Sequence, residues 1–421
     1  MKKIFKASGF SLTCSITSVI LFVFLAFGFL NNSLADWEHV SNGLGNNPIV
    51  ISLSAKDNIL FAGTQDNGVF FTTNNGESWT QTSLNNRTVW DVFVSGNYIL
   101  AGTAFNGVYV SKDNGVSWVQ STLNDITVWT FTQYGDNILA GTSFYGVHLS
   151  TDNGQTWNRI SYNLVFVRAL LVLGNDILAG AFDVFNRGIY RSTDNGVNWS
   201  QTSFNIANVS ELEINGNILF AGVDDFNSNN NLNGVYTSAD NGGTWTQTLS
   251  SVHIDDLSII GNNIFAGAYQ NGVYVSNDNG SSWVQRNEGL SVNPTVTTFT
   301  KLGNYIFAGT QNNGVYRRQI DELVGIKQVS SEIPNEFSLS QNYPNPFNPM
   351  TNVKFQMPKE GFVKLIVFDA LGREIAALVN EELKPGTYEV RWDAANYPSG
   401  VYFYRITASD YSHTKKMILV K

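Results

Sequence analysis

The chain has 421 residues, with 25 Lys and Arg against 34 Asp and Glu, a formal net charge of −9 and a single cysteine. An acidic balance excludes nucleic acid and anionic lipid surfaces as partners, because both require a basic face. Only 14% of residues are charged, while Gly, Asn, Ser and Thr are abundant, a composition that suits an all-β extracellular protein and not an array of amphipathic helices.

The first segment reads as an export signal. Lys2, Lys3 and Lys6 precede an apolar run over 16–30, and Ser33-Leu34-Ala35 is a small-x-small cleavage site, so residues 1–35 are expected to be removed and to leave no transmembrane segment. Cleavage after Ala35 leaves 22 basic against 34 acidic side chains, a net charge near −12, and takes away Cys14. The mature fold then has no disulfide, and burial must stabilise it.

From Asp36 onward the chain repeats. The string SKDNGVSW at 111–118 returns as STDNGQTW, STDNGVNW, SADNGGTW and SNDNGSSW, with a looser copy, TTNNGESW, at 72–79. The box tryptophans Trp79, Trp118, Trp157, Trp199, Trp245 and Trp283 are 39, 39, 42, 46 and 38 residues apart. A period near 40 with alternating short apolar runs and Gly/Asn turns predicts four strands per unit, over 89–94, 98–102, 107–111 and 118–121 in one of them. That is the pattern of a β-propeller blade. A seventh unit, NYIFAGTQNNGVYR at 304–317, has no box after it; the missing strand is supplied by Asp36-Trp37-Glu38-His39-Val40 at the other end. The expectation is a seven-bladed propeller over 36–318, closed by an N-terminal strand that removes the free sheet edges.

Each box turns the third strand of a blade into the fourth. Asp113, and likewise Asp152, Asp194, Asp240 and Asp278, are placed to accept backbone N–H groups two or three residues on, while Gly115 supplies a positive φ. A calcium loop would need several oxygen ligands, and each copy offers one carboxylate. These repeats resemble the bacterial neuraminidase repeat family, which includes sialidases, xyloglucanase-type glycosidases, sortilin and the photosystem II assembly factor. The resemblance implies a propeller whose boxes are peripheral and remote from any chemistry. The early Phe/Tyr-Arg-Ile-Pro motif of sialidases is not found here, and sialidases have six blades.

Spacing separates the two faces of the ring. From the first-strand residue (Val50 in the first unit, Val296 in the last) to the following Ala-Gly alanine is 12 residues in every copy, and from the third-strand glycine to the box tryptophan is 11. The other two connections vary: Ala179 to Gly188 spans nine residues and Ala221 to Gly234 thirteen, where the other blades have six, and Trp37 to Val50 and Trp283 to Val296 span 13 where the others have 9 or 10. One face is constant scaffold and the other is elaborated, which is where binding is expected. Phe105, Phe144, Tyr145, Phe182, Phe185, Phe226 and Tyr269 lie at its loop tips, suited to stacking on sugar rings or on a partner's loop, or to plugging the ring.

Carboxylates on first strands, Asp91, Glu211, Asp255 and Asp256, point toward the axis or a neighbouring blade. Asp91, Glu211 and Asp256 are therefore the weak candidates for a glycosidase acid/base pair. No nucleophile, phosphate loop, metal constellation or cofactor motif accompanies them, and His148 and His253 have no second ligand at metal spacing.

After Arg318 the composition shifts. Residues 319–336 read as a polar linker, and 337–421 as alternating strands joined by Gly/Pro turns, a small Ig-like β-sandwich. The motifs NYPNPFNP at 342–349, DALGRE at 369–374, SGVYFY at 399–404 and Lys415-Lys416-Met417 closely resemble the type A sorting domain of the type IX secretion system. That resemblance implies a Gram-negative, Bacteroidetes-like source, Sec export, engagement of the type IX machinery, and release from or attachment to the cell surface. Two functional readings follow for the propeller: a non-catalytic module that binds a glycan or protein, or a secreted glycoside hydrolase.

Overall fold

The computed structural model describes residues 36–421 except 162–163, 183–186, 226–229, 262, 324–325 and 395–396. The expected signal segment lies outside these residues.

Among the described residues, seven four-stranded antiparallel sheets follow one another. Blades one to six occupy 50–81, 89–120, 128–159, 167–201, 209–250 and 254–285. Blade seven takes its three inner strands from 296–319 and its outermost strand from Glu38–His39, which pairs antiparallel with Gly314–Gln319. Each first strand packs beside the first strands of both neighbouring blades, Val50–Lys56 beside Val89–Ser95 and Val296–Leu302 included, so the ring is closed.

The second strands, such as Ile59–Thr64 and Tyr98–Thr103, are buried almost throughout. They are apolar on both faces because a blade is sandwiched between two others. The Ala-Gly pair lies here: a Cβ on Gly63 or Gly102 would meet the next blade's Val89 or Val128 at about 3 Å, so glycine sets the spacing between blades. Trp37 is 2% exposed in the seam core of Phe265, Val296 and Tyr316, and its indole N–H donates to Arg286 O at 2.8 Å. The chain leaves the ring on the constant face, where Ile320 N donates to Asn304 O at 3.0 Å beside the turn between the first two strands of blade seven.

The expected linker over 319–336 is more structured than a linker. Ile320–Leu323 forms one helical turn whose Leu323 is buried in the propeller's seam core, and Ile326–Ser330 pairs with Gly386–Asp393 as an edge strand of the C-terminal unit. The C-terminal unit is two four-stranded antiparallel sheets over one core, with Val353, Phe355 and Trp392 from one sheet meeting Val363, Leu365 and Tyr404 from the other. No helix among the described residues is long and apolar enough to cross a membrane.

Candidate functional site

In all seven blades the pairing of first and second strands is interrupted one residue after the first-strand start, for example between Val89 and Asp91 and between Ile254 and Asp256. A bulge of this kind turns two successive side chains to the same side. The consequence is a ring of residue pairs around the axis: Ile51 and Ser52, Trp90 and Asp91, Trp129 and Thr130, Ser210 and Glu211, Asp255 and Asp256, Thr297 and Thr298 all line one cavity of about 580 Å³. Arg168, Glu213, Asp224 and Tyr269 line it too.

The mouth is formed on the elaborated face. The residue three past each Ala-Gly alanine donates its N–H to the carbonyl just ahead of the first strand, as Gln65 does to Ile49, Phe182 to Phe166 and Tyr269 to His253, at 3.0–3.1 Å. Side chains at this position face the mouth. One residue further, φ is positive at Phe105 and Phe144 (61° and 68°), and the side chains turn outward, 77% and 62% exposed. The seven aromatic candidates therefore separate. Phe182 and Tyr269 stand at the mouth, Phe105 and Phe144 on an outer rim, and Tyr145 beyond it under the Arg159 guanidinium, 5.5 Å from its ring centroid. Phe185 and Phe226 lie outside the described residues.

Trp90 and Trp129, which the sequence reading did not select, are at the centre of the arrangement. Their rings are 4.4 Å apart and tilted by 50°, and both indole Nε1 atoms are buried without a hydrogen-bond partner among the described residues. Arg168 stacks between Trp129 and Phe182, 5.7 and 4.9 Å from their centroids, and pairs with Asp224 at 3.4 Å. His253 bridges Asp224 and Asn233 at 3.1 and 3.2 Å, and Asn233 accepts Asp225 N at 2.7 Å, which ties the long loop of blade five to the mouth.

The axial carboxyls come together in the cavity, but two of the three catalytic candidates bond the next blade, while Glu211 accepts Leu212 N of its own strand at 3.2 Å. Asp91 accepts Phe131 N at 2.8 Å and Ser52 Oγ at 3.1 Å, and Asp256 accepts Phe299 N at 2.7 Å. Ser52 accepts Val92 N at 3.0 Å and Thr298 accepts Leu53 N at 3.2 Å in the same way. In blades one, two, six and seven one side chain thus clasps the next first strand. Burial pushes Asp91 up to about 6 and Glu213 up to about 7. Asp255 also rises to about 7 through burial and the Asp224 charge, opposed by Arg168. Glu211 and Asp256 are raised well above the carboxylate range, first by burial and then by acidic neighbours, Asp256 and Glu213 acting on Glu211, and Glu213 and Asp255 on Asp256. No group of described residues is arranged to hold a metal ion.

On the constant face the boxes form a repeated hydrogen-bond unit. Asp113 accepts Ser117 N at 2.9 Å, four residues on and not two or three, and accepts Ser111 Oγ at 2.8 Å; that hydroxyl in turn accepts Gly115 N at 2.8 Å. The same set recurs at Asp152, Asp194, Asp240 and Asp278, and Asp152 also accepts Gln155 N, three residues on as expected, at 3.1 Å. Asn114 and Gly115 both have positive φ, 57° and 86°, which is why the turn carries Asn-Gly. A second pocket of about 590 Å³ lies at the closure seam, but its Ser41 and His39 side chains are already bonded to Val315 and Asn313 carbonyls.

Residues 341–421 match the secretion-system C-terminal sorting domain. Such a domain implies interaction with the type IX machinery and export to the cell surface or the extracellular space. No curated protein matches the chain. Among solved structures it is similar to YCF48 from Cyanidioschyzon merolae (13% identity, TM-score 0.54, 68% of this chain and 98% of that one). It is also similar to YCF48 bound to a D1 peptide (16%, 0.55, 68% and 96%) and to the WD40 β-propeller domain of Doa1 (12%, 0.52, 68% and 98%). At these identities the likeness concerns the fold, which is a β-propeller.

Proposed function

We propose that the propeller is a non-catalytic binding module, exported by the type IX system, that receives a glycan or protein ligand at the mouth of its axial cavity. One observation carries this reading: tryptophans from adjacent blades, Trp90 and Trp129, line the axial cavity with rings 4.4 Å apart, whereas Asp91 and Asp256 are engaged in holding neighbouring first strands. A propeller of this fold, YCF48, is solved with a D1 peptide. The test is titration of residues 36–421 with oligosaccharides and with peptides, followed by indole fluorescence. Any ligand found is expected to lose its binding when Trp90→Ala and Trp129→Ala are combined, and full retention would remove the mouth from the account.

A glycoside hydrolase is the second reading, favoured by Glu211, which burial and then the Asp256 charge across a shared cavity raise well above the carboxylate range, since a carboxyl held protonated is what a general acid requires. Turnover of chromogenic glycosides that disappears in Glu211→Gln would establish it. Hydrolysis unaffected by Glu211→Gln and Asp256→Asn would eliminate it.

A further inference from the structure

Resting on the reading of the mouth as a ligand site, we propose that it takes the terminal ring of a neutral, hydroxyl-rich saccharide. The ring face lies against Trp90 and Trp129, and the hydroxyls face the carboxyl groups of blades five and six.

The two sides of the mouth differ in kind. Trp90 and Trp129 come from blades two and three, and Phe182 from blade four. Phe105 and the Phe144–Phe166 pair, 4.6 Å between centroids, extend this aromatic sector outward across the elaborated face. Glu211, Glu213 and Asp224 come from blade five and Asp255 and Asp256 from blade six. An occupant is thus required to present an apolar face to one wall and hydrogen-bonding groups to the other, which is the division of a pyranose between its C–H face and its hydroxyl edge.

Donor and acceptor needs narrow the class. Two buried indole N–H groups lack an acceptor among the described residues, and an occupant that draws the Trp90 and Trp129 rings toward it supplies one. A lysine or arginine head would suit the carboxyls and the tryptophan faces, but it carries donors only and cannot satisfy the indoles. A carboxylate or phosphate would satisfy the indoles and then confront the six acidic groups that line the cavity. Arg168, the one cation among the described lining residues, is already paired with Asp224 and stacked on two rings. A hydroxyl both donates and accepts, so it meets the indoles and the carboxyls together. A volume of about 580 Å³ is that of a small-molecule pocket, suited to a chain end and not to a folded domain.

The experiment uses residues 36–421 and four linear β-1,4 oligosaccharides of five or six rings, built from glucose, xylose, mannose or N-acetylglucosamine. Pentalysine and a hyaluronan hexasaccharide serve as cationic and anionic comparators. Binding is read by calorimetry and indole fluorescence. At least one neutral oligosaccharide is expected to bind. Trp90→Phe and Trp129→Phe keep a ring face and lose the N–H, and each is expected to weaken that binding roughly three- to tenfold while thermal midpoints stay within a few degrees. The double alanine variant is expected to weaken it more than about a hundredfold. Binding of pentalysine or hyaluronan alone, lost in the double alanine variant, would overturn the neutral saccharide and leave the mouth as the ligand site. Saccharide binding unchanged in every tryptophan variant would overturn both. Binding of none of the six probes would overturn the saccharide assignment.

Discussion

At the scale of single residues, the two kinds of acidic side chain respond to pH in opposite directions. Asp255, Glu213 and Asp91 have folded-state values raised to about 7, 7 and 6, above the roughly 4 expected of an unfolded carboxyl. The folded state therefore holds their protons more tightly, and stability falls as pH rises from about 4 to about 7. Box carboxylates such as Asp240, held down to about 2 by the Thr244 backbone N–H and hydroxyl, contribute stability above pH 4 that is lost as pH falls toward 2. The thermal midpoint is thus expected to peak between about pH 4 and 5 and to decline toward pH 8, and Glu213→Gln with Asp255→Asn should flatten the decline. A midpoint that rises steadily from pH 4 to pH 8 would contradict the axial assignment. Ser111 gives a second residue-scale prediction. Its hydroxyl accepts the buried Gly115 N–H and donates to Asp113, so Ser111→Ala should cost about 1–3 kcal/mol in chemical denaturation. Asp113→Asn, which keeps an acceptor oxygen, should cost less.

At the scale of elements, the two-residue strand Glu38–His39 is the smallest piece of the ring and the one whose loss opens it. Arg317 grips Glu38 at 2.7 Å, and Val40 N donates to Val315 O at 2.8 Å, so the strand is fastened on both sides of its short ladder. Deleting residues 36–42 should lower the thermal midpoint sharply and expose the seam to proteolysis. Trp37→Ala alone should cost about 3–5 kcal/mol, as for other buried large-to-small changes; an unchanged midpoint in either variant would contradict closure at this seam. Blades were legible in the sequence because each third-strand glycine and each box tryptophan repeats at one spacing, and the closing strand because the seventh unit lacks a box of its own. The mouth was legible only in part. A strict period of two sends Trp90 and Asp91 to opposite faces of a strand, and likewise Asp255 and Asp256. The bulge that brings each pair to the same side is a backbone irregularity without a residue signature of its own. A visible trace was a tryptophan directly after the first-strand valine in blades two and three, where the other blades carry Ile51, Arg168, Ser210, Asp255 and Thr297. The outward turn of Phe105 and Phe144 was hidden for a similar reason, since positive φ at a phenylalanine is set by the loop around it.

At the scale of the whole molecule, the propeller and the C-terminal sandwich have separate cores, and the boundary falls between Leu323, buried in the first, and Ile326, paired in the second. Ending the chain after Leu323 is expected to leave the propeller's unfolding midpoint within a few degrees and to abolish export. Ending it after Arg318 should also uncover the seam core that Leu323 fills and lower the midpoint. Equal midpoints for the two truncations would place the boundary back at Arg318. The seam also imposes a timetable. Glu38 and Arg317 are 279 residues apart, and at roughly 5–20 residues per second of synthesis the earlier one waits on the order of tens of seconds for its partner. Until blade seven is in place the first strand of blade one keeps an uncovered flank. A chain broken anywhere before Arg317 cannot close. Because the sorting domain follows the propeller in the chain, the address is appended only to chains that already contain everything closure needs, and connectivity itself acts as a proofreading step on what is shipped.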